Sequence, residues 1–196
     1  MTNGQEDRMR IATTTITLAA LALAAPAQAD EVTDILASAL AAYEEGDIAY
    51  AIEELDYAKQ LMQGLQTGEL AKFLPAAPEG WTMEVNSDAN MAMSMFGGGG
   101  ATTRGEYENG SESFSITIMV DNPMVVSMGA MLNNTAMMGQ MGNVRRMGRQ
   151  RVLEQNGELS MLVNNRVLVQ GSGSDPDLIM SLFETIDLDA LGSFGQ

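Results

Sequence analysis

"SFSITIMVDNPMVVSMGAML", residues 113–132, changes its period halfway along. Phe114, Ile116, Ile118 and Val120 alternate with Ser113, Ser115 and Thr117, the two-residue repeat of a strand with one face on a core. Asn122 can then cap a helix, and Pro123 suits its first position because the missing N–H would have no partner there. Met124, Met128, Met131, Thr135 and Met138 follow at four-three-four-three spacing, one seam of a helix. Gly129, Asn133 and Asn134 interrupt that seam, so its regular part should end near Leu132. A half-buried strand running straight into a helix, with more strands on either side, indicates an α+β fold.

Upstream, Asn109-Gly110 is a tight-turn signal between "GEYE" and this strand. Trp81, Met83 and Val85 fall on one side of an earlier strand, and residues 90–96 read as another that ends in the tip Gly97–Gly100. Downstream, "NVRRMG", "QRVLEQ", "ELSMLV" and "RVLVQG" are short strands, with Asn156-Gly157 and Asn164-Asn165 as turns. Asp175-Pro176 opens a last helix that turns Ile179, Leu182, Phe183 and Ile186 inward. Residues 81–189 are therefore expected to form a meandering antiparallel sheet with two helices packed on one face. Residues 190–196 carry no pattern, and "LPAAPEG" at 74–80 reads as a linker.

Residues 30–73 read as an antiparallel helical hairpin. Val32, Ile35, Leu36, Leu40 and Tyr43 recur at helical spacing, Gly46 stops the run, and Asp47 can cap a second helix with Ile48, Ala51, Ile52, Leu55, Ala58 and Met62 on its apolar face. The segment is acidic, with ten Asp or Glu against Lys59 and Lys72. "AYEEGDIAYAIEELDYAKQL", within residues 31–65, resembles a tetratricopeptide-type helical hairpin: Tyr43 precedes a Gly-Asp turn, and Ala51, Leu55 and Ala58 follow at four-then-three spacing. Its turn is one residue shorter than that pattern, and no second copy follows. The resemblance implies a protein-protein role for a lone hairpin, either a cap or a docking element.

The start of the chain reads as an export signal. A basic Arg10 precedes an apolar run from Ile11 to Ala25, and Ala27-Gln28-Ala29 forms a small-residue exit before Asp30. Residues 1–29 are thus expected to be a secretory signal peptide, with Met9 an alternative start. The run is too short and too rich in Ala and Thr for a membrane span, so an integral membrane protein is not expected. The expected location is the periplasm, or outside the cell.

Composition narrows the chemistry. The chain has no Cys and no His, which removes ordinary zinc sites and the His-dependent nucleophile systems. Neither Lys59 nor Lys72 lies in a Ser-x-x-Lys arrangement, and no pair of carboxylates stands out. An enzyme is therefore not expected. The 10 Lys/Arg and 26 Asp/Glu leave a net charge of −16, the wrong sign for nucleic-acid binding. Gly97–Gly100 is followed by no Lys-Ser/Thr and is not a phosphate loop.

Seventeen of the 196 residues are Met, clustered at 83–95 and 119–147. Packing is one reading, since the flexible thioether fills irregular gaps. A second is soft-metal binding: Met91, Met93 and Met95 would share a strand face, and thioethers suit Cu(I) or Ag(I) without His. "MAMSM" resembles the Met-x-Met motifs of periplasmic copper- and silver-handling proteins, which implies copper as a cofactor. The third is an adaptable groove for lipid or peptide, lined by Met124, Met128, Met131 and Met138. Arg145, Arg146, Arg149 and Arg151 fall within seven residues and form a candidate patch for an anion or an acidic surface, or else cross-strand ion pairs. The expected function is a non-enzymatic exported binding or interaction protein of the bacterial envelope, with another envelope protein as partner. The alternatives are a Met-rich Cu(I)/Ag(I) binder and a lipid or peptide binder.

Overall fold

A computed structural model describes residues 27–86 and 100–196. Two helices come first, α1 (Ala27–Glu45) and α2 (Ile48–Ala71). Gly46 turns the chain between them with φ +87°, a backbone that side chains rarely adopt. Asp47 caps α2 by accepting from the Tyr50 N–H at 3.1 Å. Val32, Ile35, Ala39 and Ala42 of α1 are buried, as are Ala51 and Ala58 of α2; the alanines let the two backbones approach closely.

Helix α2 runs beyond the Gly64 at which helical spacing fades, through Gly68, to Ala71. The reason is tertiary: Leu70 and Leu74 sit in the main core at 0% and 7% exposure. Burying two leucines there, at about 1.5–3 kcal/mol each, outweighs the roughly 1 kcal/mol that each helical glycine costs. The segment read as a linker is thus half core. The Tyr107 hydroxyl donates to the Pro75 carbonyl at 2.7 Å and pins it down.

Seven antiparallel strands follow: β1 (Thr82–Val85), β2 (Ala101–Glu108), β3 (Ser113–Val120), β4 (Asn143–Met147), β5 (Gln150–Gln155), β6 (Glu158–Val163) and β7 (Val167–Gly173). Their order in the sheet is β1-β2-β3-β7-β6-β5-β4. After β3 the chain crosses to the far edge through α3 (Pro123–Leu132) and α4 (Thr135–Met141), then meanders back until β7 pairs with β3. The last helices are α5 (Pro176–Phe183) and α6 (Leu188–Gly192). The α+β architecture read from the sequence is the one present.

Register assigns every strand side chain to a face. Tyr107, Phe114, Ile116, Ile118, Val120, Leu159, Met161, Val163, Val167 and Val169 share the first face with Leu70 and Leu74, and with Ile179, Phe183 and Leu191 from α5 and α6. Met119, Leu153, Leu162 and Leu168 lie on the second face beneath Val125, Leu132 and Met138 of α3 and α4. Periodicity alone puts the crossover and final helices together on one face; the structure divides them between the two. The cause lies in β7, where Gly171 opens the first face to α5. A Cβ at Gly171 would stand 2.3 Å from Ile179 Cγ2.

Strand β3 is also buried more deeply than its alternation indicates, with only Ser113 exposed. It is central, and on the second face Thr117 lies between the longer Arg104 and Gln170, as Ser115 lies beside Glu106. The turns differ in detail as well. Asn156-Gly157 is a two-residue turn with φ +53° and +80°. Asn109-Gly110 opens a four-residue loop closed by the Asn109 side chain, which accepts from the Ser111 and Glu112 N–H groups. The patternless tail forms α6, where Leu191 is fully buried, and beyond it Phe194 meets Phe73 edge-on at 5.9 Å.

Candidate functional site

A groove of about 420 Å³ lies between α1 and the first turns of α2. Ala39 and Ala51 form its floor, and Leu36, Leu40, Tyr43, Ile48, Ile52 and Leu55 form its walls. The two alanines are 4% and 5% exposed, whereas the six walls are 40–65% exposed. Helix geometry explains the arrangement. Leu36, Leu40 and Tyr43 recur at four and three residues, as do Ile48, Ile52 and Leu55, and each trio stands beside the alanine seam. A hairpin with larger residues at 39 and 51 would push its helices apart and lose the concavity.

Carboxylates surround this apolar surface. Glu44 lies one turn after Leu40, Asp56 one turn after Ile52, and at one end Glu45 closes α1 and Asp47 caps α2. All four are exposed, and none has a cationic partner among the described residues. The hairpin's one described ion pair is Lys72–Glu69 at 2.6 Å, on α2's last turn and away from the groove. Lower on the hairpin, Glu31 raises the Tyr57 pKa, by its charge first and then by accepting the phenolic hydrogen bond at 3.2 Å. Beside the groove these carboxylates outnumber Lys59, which lies one turn after Leu55, and that excess favours a cationic occupant.

The residues singled out in the sequence divide as follows. Met91, Met93 and Met95 lie outside the described residues. Among the described residues, no group of three His, Cys, Asp or Glu is placed to hold a metal ion. The methionine seam is broken: α3 stops at Leu132, and Asn134 caps a separate α4 by accepting from the Ala136 and Met137 N–H groups. Met138 is fully buried, Met128 and Met131 are half-buried against the second core, and Met124 is 42% exposed. Of the four only Met124 is exposed, and the sheet-facing stripe of α3 is Val125, Gly129 and Leu132.

Of the arginines, Arg145 parts from the others. Arg145 points to the first face and bridges Asp177 at 2.8 Å and Glu154 at 3.7 Å. Arg146 and Arg151 stand directly opposite each other on the second face, and Arg151 donates to the Thr135 hydroxyl. Arg149, in the β4–β5 turn, is exposed. Arg166, outside the cluster, binds Asp121 through both carboxylate oxygens at 2.9 and 2.5 Å, and that hydrogen bonding raises its pKa further.

The second face of the sheet carries two polar rows, Arg104–Thr117–Gln170–Ser160 and Glu106–Ser115–Ser172–Glu158. Five of these residues, Arg104, Glu106, Glu158, Ser160 and Gln170, bond to one another. Arg104 donates to Glu106 at 2.6 Å, and the Gln170 amide donates to Glu158 at 2.7 Å. The Gln170 amide also lies 3.4 Å from the Ser160 hydroxyl, so these bonds tie the two rows together. Sequence spacing located the hairpin's apolar residues but not what covers them; their exposure follows from the position of the hairpin, which joins the core through Leu70 and Leu74 at its far end.

No described helix is long and apolar enough to cross a membrane. Compared with models of protein families, with curated proteins and with solved structures, the chain matches none.

Proposed function

We propose that the protein is a non-enzymatic, exported binding protein of the bacterial envelope whose acidic hairpin receives an apolar element of a partner. The observation that supports this most directly is the groove between α1 and α2: six large apolar walls stand open to solvent on an otherwise highly charged hairpin. Exposed contiguous apolar surface rimmed by polar groups is the usual mark of an interaction site. A helix laid between two helices is one of the recurring recognition modes, with anchors spaced at three and four residues. The rim adds specificity. Glu44, Glu45, Asp47 and Asp56 select an occupant whose apolar ridge is flanked by Lys or Arg, and speed its approach. The absence of His and Cys from the whole sequence supports binding rather than catalysis. Arg10, the apolar run to Ala25 and the Ala27-Gln28-Ala29 exit support export.

The test is site-specific photocrosslinking in cells. A photoreactive residue at Leu40 or at Ile52 should yield the same discrete adduct, lost when Tyr43 and Leu55 are both changed to alanine. The same probe at exposed Glu184, on the sheet domain, should give none. Absence of an adduct at both groove positions, or an equal adduct at Glu184, would overturn the binding half of the reading. N-terminal sequencing of the protein recovered from cells should begin at Asp30; an uncleaved chain confined to the cytosol would overturn the export half.

A further inference from the structure

The crossover from β3 to β4 leaves a second unpartnered surface. Met137 and Met141, one turn apart on α4, are 46% and 37% exposed. Helix α4 packs against β4, which carries Arg146, and the turn after β4 carries Arg149; both are exposed and have no ion-pair partner among the described residues. Arg146 also stands directly across from Arg151 on the same face, a like-charge pair that costs stability until an anion approaches it. The hairpin groove has the converse character, an apolar floor with unpaired Glu44 and Asp56 at its sides. Within one chain the two surfaces remain apart. Helix α2 packs on β2, and β4 lies five places from β2 in the sheet, roughly 24 Å at about 4.8 Å per strand.

We propose that the occupant of the groove is a second copy of this chain: α4 and the adjoining arginines of one copy dock between α1 and α2 of the next. The proposal rests on the groove reading above and names its partner. Flexible thioethers suit the open floor because they adapt to its contours, and Arg146 and Arg149 meet the carboxylate rim. The contact uses a different patch on each copy, so every docked copy leaves one groove and one arginine patch free, and assembly runs head to tail into chains or rings. The net charge of −16 opposes association, but screening confines that repulsion to about 8 Å at physiological ionic strength, whereas the contact pairs act across a few ångströms.

The experiment is sedimentation velocity from 1 to 100 µM on the purified protein, on Glu44→Arg/Asp56→Arg, on Arg146→Glu/Arg149→Glu, and on an equimolar mixture of the two variants. Wild type should show sizes that grow with concentration. The first variant cancels the negative rim, its two new arginines balancing Glu45 and Asp47, and the second sets an acidic patch against an acidic rim, so each alone should stay monomeric. The mixture should associate, because each variant supplies the complement of the other. All four substitutions are at exposed positions, and circular dichroism should match wild type. A wild-type monomer at 100 µM, a closed dimer indifferent to either reversal, or a mixture that stays monomeric would overturn the proposal. The groove reading is judged separately by the Leu40 crosslink. An adduct between Leu40 and the Met137–Met141 segment supports both, an adduct with another protein leaves the groove reading alone standing, and no adduct removes both.

Discussion

Gly171→Ala is the most informative single change in the sheet domain. The added methyl would stand 2.3 Å from Ile179 Cγ2 and 3.2 Å from Phe183 Cζ, where unstrained carbons keep about 3.5–4.0 Å. Ile179 and Phe183 are both fully buried, so neither can swing into solvent. Either α5 lifts from the sheet by more than about 1 Å or Ile179 leaves its rotamer, and overfilling a packed core in this way costs about 1–3 kcal/mol. At a loss of about 2 kcal/mol, a domain of this size should melt roughly 4–8 °C lower. Urea unfolding followed through the single tryptophan, Trp81, which packs on Phe114 with ring centroids 4.8 Å apart, should show a lower midpoint at unchanged slope. Ile179→Ala alone should cost about 2–5 kcal/mol. The double variant should cost at least about 1 kcal/mol less than the sum, because the new methyl then enters the space that Cγ2 vacates. A Gly171→Ala protein within about 0.5 kcal/mol of wild type, or strictly additive costs, would refute the claim that this glycine admits α5 to the sheet.

Burial raises the Tyr107 pKa well above its ordinary 10.0, so the folded state keeps a proton that the unfolded chain releases. Its contribution to stability is complete below pH 10 and declines as pH rises above it. Denaturation midpoints between pH 7 and 11.5 should fall less steeply above pH 10 in Tyr107→Phe, which should also be about 1 kcal/mol weaker at pH 7 for want of its bond to Pro75. A chain beginning at Gln66 should keep a folded sheet, whereas one beginning at Ala76 loses Leu70, Leu74 and the Pro75 acceptor. That loss, roughly 4–7 kcal/mol, is comparable to a domain's whole stability, and circular dichroism with heteronuclear NMR dispersion should separate the two truncations. Arg145→Ala removes two partly exposed ion pairs and should cost about 0.5–1 kcal/mol, diminishing in high salt; a loss above 3 kcal/mol would contradict this screened setting.

Local chemistry was legible in the sequence. Alternation marked β3 and β5 to β7, Asn-Pro and Asp-Pro opened α3 and α5, and Asn156-Gly157 set the β5–β6 turn. These features depend on residues a few positions apart, whose backbone preferences are set by immediate neighbours. The hairpin, its Gly46 turn and its Asp47 cap were readable for the same reason. What the sequence by itself determined is therefore the kind and order of the elements, together with the excess of negative charge and the lack of His and Cys. Tertiary structure alone decided that β7 returns to pair with β3, that the helices divide between two faces, and that Arg145 parts from Arg146 and Arg151. It also decided that Met138 is core and that the apolar walls of the hairpin face water rather than the sheet. Each of these outcomes joins residues distant in the chain: Gly171 with Ile179, Leu70 with the sheet core, Arg145 with Asp177. Periodicity shows that a side chain has an apolar face to cover. Only the path of the chain through space determines what covers it, or whether it stays open for a partner.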